Sequence, residues 1–336
     1  MRHFLTTADW SRSELQGLLD RAAAFKSGTV SRSLEGKSIA LLFFNPSLRT
    51  RSSFDIGAHQ LGGHAIVLDA KGATWPLEFS DGTVMDGSEE EHVREAARVL
   101  SSYVDLIAIR CFPEFKDWGT EREDPMISAF AKHSTVPVIN METIVHPCQE
   151  LALMLALQER MGSVEGKEFL LTWVPHPKPL NTAVANSALL IASKFGMNVR
   201  MLVPDEVYRL DERYMSAAEA FVGEAGSSLT LTTDVEAAYS GADVVYAKSW
   251  GALPFYGNWD DEAPFRAKGA DFMITPEKMA MTNNGVVSHC LPMRRNVKIA
   301  DAVVDSPAFL GIEEAGNRLH VQKAVMESLA TQGGSS

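Results

Sequence analysis

At 336 residues the chain is long enough for two cores of roughly 150 residues each. Hydrophobic residues make up 46% and charged residues 22%, ordinary for a globular protein, while 43 acidic against 31 basic side chains leave a net charge of −12. That balance disfavours nucleic acid, which needs a basic footprint, without excluding an anionic small substrate in a locally positive pocket.

The first ten residues, Met1 to Trp10, lack the long apolar core and small-residue cleavage site of a signal peptide. No apolar run reaches the ~20 residues of a membrane helix, so the expectation is a cytoplasmic chain with no membrane partner. Short apolar runs then alternate with helical patterns. Ser38 to Phe44, Ala65 to Leu68, Leu106 to Ile109 and Val136 to Ile139 read as buried strands. Helical periodicity covers Ser88 to Ser102, and a largely apolar helix covers Cys148 to Met161. A helix apolar around most of its surface is usually buried, so this one is placed to join two domains, with a boundary near residue 150. The second half repeats the pattern, with strands at Phe169 to Trp173, Asn198 to Val203, Leu229 to Thr232 and Asp243 to Ala247, and a helix at Thr182 to Phe195. The last helical stretch, Arg318 to Leu329, is expected to pack back on the first domain. Alternating strands and helices imply an α/β fold with parallel sheets covered on both faces. The expected domains are residues 1–150 and 151–317, with 318–330 returning to the first.

In open parallel sheets ligands bind beyond the carboxyl ends of the strands, which nominates a small set of segments. After strand 38–44 comes Ser47-Leu48-Arg49-Thr50-Arg51. Ser47 is a good N-cap, and the next amides at a helix start, beside two arginines, make an anion cradle. The same residues also fit an ordinary capped helix with solvated arginines. Arg110 directly follows an apolar strand, as a phosphate or carboxylate ligand does, or as a partner of a surface acid does. His146 and Gln149 precede the long helix, three positions apart. In the second half Lys248 follows one strand and His289-Cys290-Leu291-Pro292 another. Cys290 reads as a nucleophile near His289 or, more simply, as a packing or backbone-binding residue. There is no G-x-x-x-x-G-K-[ST] and no G-x-G-x-x-G, so neither a nucleotide P-loop nor a dinucleotide fold is supported. Three scattered cysteines, Cys111, Cys148 and Cys290, and no clustered acids give no disulfide framework, no metal site and no implied cofactor.

Together these segments resemble the aspartate/ornithine carbamoyltransferase family over nearly the whole chain. Its Ser-x-Arg-Thr-Arg stands at Ser47 to Arg51, its His-Pro-x-Gln at His146 to Gln149, and the His-Cys-Leu-Pro of its ornithine branch at His289 to Pro292. The resemblance implies two doubly wound parallel-sheet domains joined by interdomain helices, and a homotrimer with active sites shared between subunits. It also implies carbamoyl phosphate held by Ser47, Leu48, Arg49, Thr50, Trp75, Arg110, His146, Gln149, Cys290, Leu291 and Arg318. Among these, Thr50, Arg110 and His146 would surround the carbamoyl oxygen, while Gln149 and the carbonyls around Cys290 and Leu291 would take the carbamoyl NH2. Ordinary ornithine enzymes carry Asp-x-x-x-Ser-Met-Gly after the strand where this chain has Lys248-Ser249-Trp250-Gly251. A lysine there would repel an α-ammonium and attract a carboxylate, so the acceptor should have a blocked α-amine. The wording around Lys248, with Trp75-Pro76 and Val84 to Gly87, resembles the branch that acts on acylated ornithine. That branch implies an N-acetylornithine site of Trp75, Glu90, Glu142, His176, Lys248, Leu291 and Lys298, with Trp75 reaching a neighbouring subunit and Lys298 carboxylated. Glu90 would oppose a succinyl carboxylate, which favours the acetyl substrate, in a route to arginine. The alternatives are N-succinylornithine or plain ornithine as acceptor, or a two-domain protein that binds a phosphorylated small molecule without turnover. Taken without the resemblance, Trp75 reads as a core residue and Lys298 as a surface lysine.

Overall fold

The computed structural model describes residues 1–72 and 74–332. The chain divides into two units: Met1–Cys148 with the segment from Asn317 onward, and Gln149–Gly316. The first unit holds β1 (Ser38–Phe43), β2 (His64–Asp69), a short parallel pair β3 (Leu77–Glu78) and β4 (Glu91–His92), then β5 (Leu106–Arg110) and β6 (Val138–Glu142). Its main sheet is wholly parallel in the order β2-β1-β5-β6. Strand side chains alternate between faces. On one face Ala40, Leu42, Ile107 and Ile109 pack with Ala97 of helix Val93–Ser101 and Phe130 of helix Pro125–His133. Ile39, Leu41 and Phe43 point to the other face and are equally buried. On β1 and β5 both faces are therefore covered, which is why those strands read as continuous apolar runs, whereas β2, expected to be buried over Ala65 to Leu68, is an edge strand with no buried residue and Ile66 38% exposed.

The second unit holds β7 (Glu168–Trp173), β8 (Asn198–Leu202), β9 (Leu229–Thr232), β10 (Val244–Lys248) and β11 (Val286–Ser288). They form a parallel sheet in the order β11-β10-β7-β8-β9. Helix Ala183–Lys194 is buried at every residue, as its run of small and aliphatic side chains requires. Helices Pro147–Met161 and Gly311–Gln332 carry the chain across the two boundaries between the units.

Several elements differ from the sequence reading. The helix expected over 88–102 spans only Val93–Ser101, because Glu91 and His92 are taken into the pairing with β3 and the His92 ring caps the helix, accepting from the Arg94 N–H at 3.1 Å. The strand expected over 136–139 begins at Val138 and continues to Glu142. Ser134 bends the chain before it, accepting from the Val136 N–H at 3.2 Å and donating to the Val136 carbonyl at 2.7 Å. The last helix begins at Gly311 rather than Arg318. Its residues from Asn317 onward lie in the first unit, where Glu327 pairs with Arg21 at 2.5 Å and Met326 lies against Gly57.

Candidate active site

In the first unit the strand order reverses direction between β1 and β5, since β1 leads to β2 on one side and β5 to β6 on the other. The carboxyl ends of strands flanking such a reversal are where open sheets bind ligands. Phe43 and Arg110 are register partners there, and the Phe112 N–H donates to the Asn45 side chain at 2.7 Å, tying the two strand exits together. Helix Arg49–Gln60 follows β1. Its N-cap is Leu48, not Ser47 as expected; Leu48 is already helical in its backbone and makes no side-chain cap. Ser47 still performs part of that task from one residue earlier, its Oγ accepting from the Thr50 N–H at 3.2 Å.

Glu142 is brought level with Arg110 by a register shift. Ile109 pairs with Asn140, but Arg110 pairs with Glu142, so β6 carries one extra residue at the strand end. A bulge of this kind re-aims the side chains that follow it. Arg110 then forms a buried ion pair with Glu142, whose carboxylate is also 3.5 Å from His146 Nε2. From the last helix, Arg318 donates to Thr50 Oγ1. Burial pushes the Arg318 guanidinium down to about 10; Glu142 opposes that shift, while Arg110 and Arg49 add to it. Arg110, Arg49 and Glu142 thus all act on the Arg318 guanidinium. The Nε atoms of Arg110 and Arg318 are buried with no hydrogen-bond partner among the described residues. Buried donors are normally satisfied, and buried cations normally paired, so this cluster suits an anion carrying more than one negative charge.

In the second unit the reversal falls between β7 and β10, and Trp173 and Lys248 are register partners at its carboxyl end. The loop after Lys248 is pinned: Ser249 Oγ donates to the Val174 carbonyl at 2.6 Å, and Trp250 Nε1 to the Tyr208 carbonyl at 2.8 Å. Lys248 Nζ is 3.8 Å from Cys290 Sγ. His176, after β7, is half-buried with Nδ1 2.7 Å from the Lys178 carbonyl. Burial lowers its pKa, and the nearby cations Lys298, Arg294 and Lys248 push the same way. The neighbourhood is thus cationic and suits a carboxylate rather than an ammonium.

The segment after β11 folds tightly. Leu291 has φ +53°, a left-handed conformation disfavoured for a residue with a β-carbon, and the Leu291–Pro292 peptide is cis. The Leu291 N–H donates to His289 Nδ1 at 2.9 Å, and Lys298 Nζ is 3.3 Å from His289 Nε2. Lys298 is 2% exposed, which excludes the surface-lysine reading. Burial, with Lys248 next in size, lowers its pKa to about 7.

Trp75 is 56% exposed, which excludes a core role, and its indole N–H donates to Glu91 at 2.6 Å. Glu90 is exposed, and its backbone N–H donates to the Pro76 carbonyl at 3.1 Å. Val84 and Met85 on the same loop are exposed as well. Gln149 is buried, and its amide donates to Glu314, a residue the sequence reading did not single out. In sequence Glu314 is indistinguishable from Glu313 beside it; in the structure Glu313 is exposed and Glu314 fully buried. Among the described residues no group of three or more His, Cys, Asp or Glu is arranged to hold a metal, and no helix is long and apolar enough to cross a membrane.

Comparison with known proteins bears on both units. The family profile described as the aspartate/ornithine carbamoyltransferase carbamoyl-P binding domain matches residues 2–159, and that of the Asp/Orn binding domain matches residues 179–329. The chain is 61% identical to the N-acetylornithine carbamoyltransferase of Xanthomonas axonopodis pv. citri over 336 residues, covering 99% of this chain and 98% of that protein. It is 36% identical to the N-succinylornithine carbamoyltransferase of Bacteroides thetaiotaomicron over 283 residues, 84% of each. Among solved structures, acetylornithine transcarbamylase complexed with acetylcitrulline aligns with a TM-score of 0.97 at 61% identity, covering 98% of this chain and 99% of that one.

Proposed function

The chain belongs to the aspartate/ornithine carbamoyltransferase family, and we infer that it transfers the carbamoyl group of carbamoyl phosphate to the δ-amine of N-acetyl-L-ornithine. The products are N-acetyl-L-citrulline and phosphate, and the reaction serves arginine biosynthesis. The observation that carries the first half is the pair of buried guanidinium groups of Arg110 and Arg318, whose Nε–H groups have no hydrogen-bond partner among the described residues, with the half-buried Arg49 acting on Arg318; this suits the phosphate of an acyl phosphate. The acceptor assignment is supported by Lys248 and its cationic neighbours, and by 61% identity to an enzyme named for that substrate against 36% to one named for the succinyl substrate.

In this reading Ser47, Leu48, Arg49, Thr50 and Arg318 hold the phosphate, and Thr50, Arg110 and His146 face the carbamoyl oxygen. Gln149 with the carbonyls of Cys290 and Leu291 takes the carbamoyl NH2. The δ-amine attacks the carbamoyl carbon, a C–N bond forms, and negative charge gathers on the carbonyl oxygen, where the fixed donors stabilise it. The C–O bond to phosphate then breaks, and the departing phosphate accepts the proton lost by the amine. No covalent enzyme intermediate is needed. Lys248 and His176 serve the acceptor's α-carboxylate side; Glu142, Glu90, Leu291, Trp75 and Lys298 complete its site.

Lys298 is the residue carboxylated in this reading, and the geometry favours it. A backbone N–H can only donate, so His289 Nδ1 is an acceptor and the neutral ring carries its proton on Nε2. Nε2–H then faces Lys298 Nζ, which must offer a lone pair; a neutral amine with a pKa of about 7 is the form that adds CO2. The assembly proposed is a homotrimer in which the exposed Trp75 of one subunit completes the site of the next. The direct test is release of inorganic phosphate from carbamoyl phosphate. It should depend on added N-acetylornithine, whereas a protein that only binds the ligand would release none with any acceptor.

A further inference from the structure

We propose that Glu314 is a positioning residue that sets the polarity of the carbamoyl amino subsite; the inference rests on Gln149 meeting the carbamoyl group, as read above. Glu314 is fully buried on helix Gly311–Gln332. Its Oε1 accepts from Gln149 Nε2 and, at 3.0 Å, from the Tyr246 hydroxyl, while Oε2 accepts from Ser288 Oγ. One carboxylate therefore ties together the start of helix Pro147–Met161, the middle of β10 and the end of β11.

A glutamine amide is ambidextrous, with donors at one end and an acceptor at the other. Left to itself, Gln149 could meet a ligand with either end. An oxygen that already takes two donors cannot donate, so Gln149 must turn its NH2 to Glu314 and its carbonyl oxygen away. The end left for a ligand is then an acceptor, which recognises an NH2 and offers nothing to a methyl group or a carbonyl oxygen. The bond to Ser288 extends the same control, because Ser288 directly precedes His289-Cys290-Leu291, whose carbonyls are the other acceptors assigned to that NH2. Burying a carboxylate among hydroxyl and amide donors is costly compared with an apolar residue, and orientation of Gln149 gives a reason for it.

Acetyl phosphate separates this role from a structural one, since it replaces the carbamoyl NH2 with CH3. Calorimetric binding of both phosphates to the wild type, Glu314→Gln, Gln149→Ala and the double variant is the experiment. Glu314→Gln should weaken carbamoyl phosphate by about tenfold, leave acetyl phosphate within about twofold, and add nothing further on top of Gln149→Ala. Equal losses for both ligands, or an undiminished loss in the Gln149→Ala background, would overturn the proposal. Should Glu314→Gln fail to fold, the exchange variant Gln149→Glu with Glu314→Gln keeps the bond with its direction reversed and still turns an oxygen to the ligand. That variant should keep the preference for carbamoyl over acetyl phosphate within about threefold, and losing the preference would count against the role. Phosphate release with N-acetylornithine, measured on the wild type alongside, tests the enzymatic reading separately from the binding ratio.

Discussion

Lys298 Nζ lies 3.3 Å from His289 Nε2, and the other nitrogen of that ring is already occupied by the Leu291 N–H at 2.9 Å. The lysine is thereby placed to accept a proton rather than to give one, and burial holds its pKa at about 7.

The sign of the resulting pH dependence follows. Between about pH 7 and the ordinary lysine value of 10.5, the unfolded chain binds a proton at Lys298 that the folded chain does not. Stability therefore rises with pH through that window, and the penalty of burying the charge is fully present below it. Lys298→Met should flatten this part of the profile, read as urea midpoints at about pH 7 and about pH 9.5 in CO2-free buffer. An identical slope in wild type and variant would mean that Lys298 is not the group. Bicarbonate added to CO2-depleted wild type should raise activity with N-acetylornithine and have no effect on Lys298→Met.

Arg318 donates to Thr50 and has a buried Nε with no hydrogen-bond partner among the described residues, so removing its charge should act mainly on the phosphate of carbamoyl phosphate. Arg318→Met is expected to lower kcat/KM for carbamoyl phosphate by about a hundredfold, and to weaken product inhibition by phosphate in parallel. Arg318→Lys should recover only part of this, because an ammonium cannot reproduce the planar fork.

Lys248 sits at the end of β10, with Lys298 and Arg294 among the charges acting on the same neighbourhood. Lys248→Met should raise KM for N-acetylornithine by about tenfold or more, with carbamoyl phosphate binding close to wild type. A change confined to carbamoyl phosphate would remove Lys248 from the acceptor site.

Glu90 is exposed, and its N–H donates to Pro76. Glu90→Pro is expected to shift turnover toward N-succinylornithine by removing the carboxylate, but it also deletes that hydrogen bond. Glu90→Ser keeps the N–H and should give the same direction of change; no gain of succinyl turnover in either variant would relocate the acyl-sensing residue.

The proposed sharing of sites between subunits predicts complementation. Trp75→Ala and Arg110→Ala should each be inactive on its own, and dissociating and reassembling a mixture should restore part of the activity. Mixed assemblies as inactive as the parents would place Trp75 and Arg110 of each site on one subunit.

Much of this was legible in the residues because strands buried on both faces are written as unbroken apolar runs, and their ends expose Arg110, His146 and Lys248 at once. Boundaries were less legible. The start of helix Val93–Ser101 depends on Glu91 and His92 pairing with a strand fourteen residues away in sequence, which no local pattern records. Lys298, within Arg294-Arg295-Asn296-Val297-Lys298, reads as part of a solvated basic stretch, yet it is buried, its carbonyl accepting from the Ile274 N–H at 2.9 Å, a partner far away in the chain. Glu314 was invisible for a similar reason: Gln149, Tyr246 and Ser288, which donate to it, are far apart in the chain, and its neighbour Glu313 carries the same side chain into solvent.

The central claim is the identity of the acceptor, and a competition measures it. Ornithine, N-acetylornithine and N-succinylornithine are supplied at equal concentration with limiting carbamoyl phosphate, and the products are separated by mass. N-acetylcitrulline should account for nearly all of the product. Citrulline or N-succinylcitrulline as the main product would contradict the assignment drawn from Lys248 and Glu90, while leaving carbamoyl transfer itself in place.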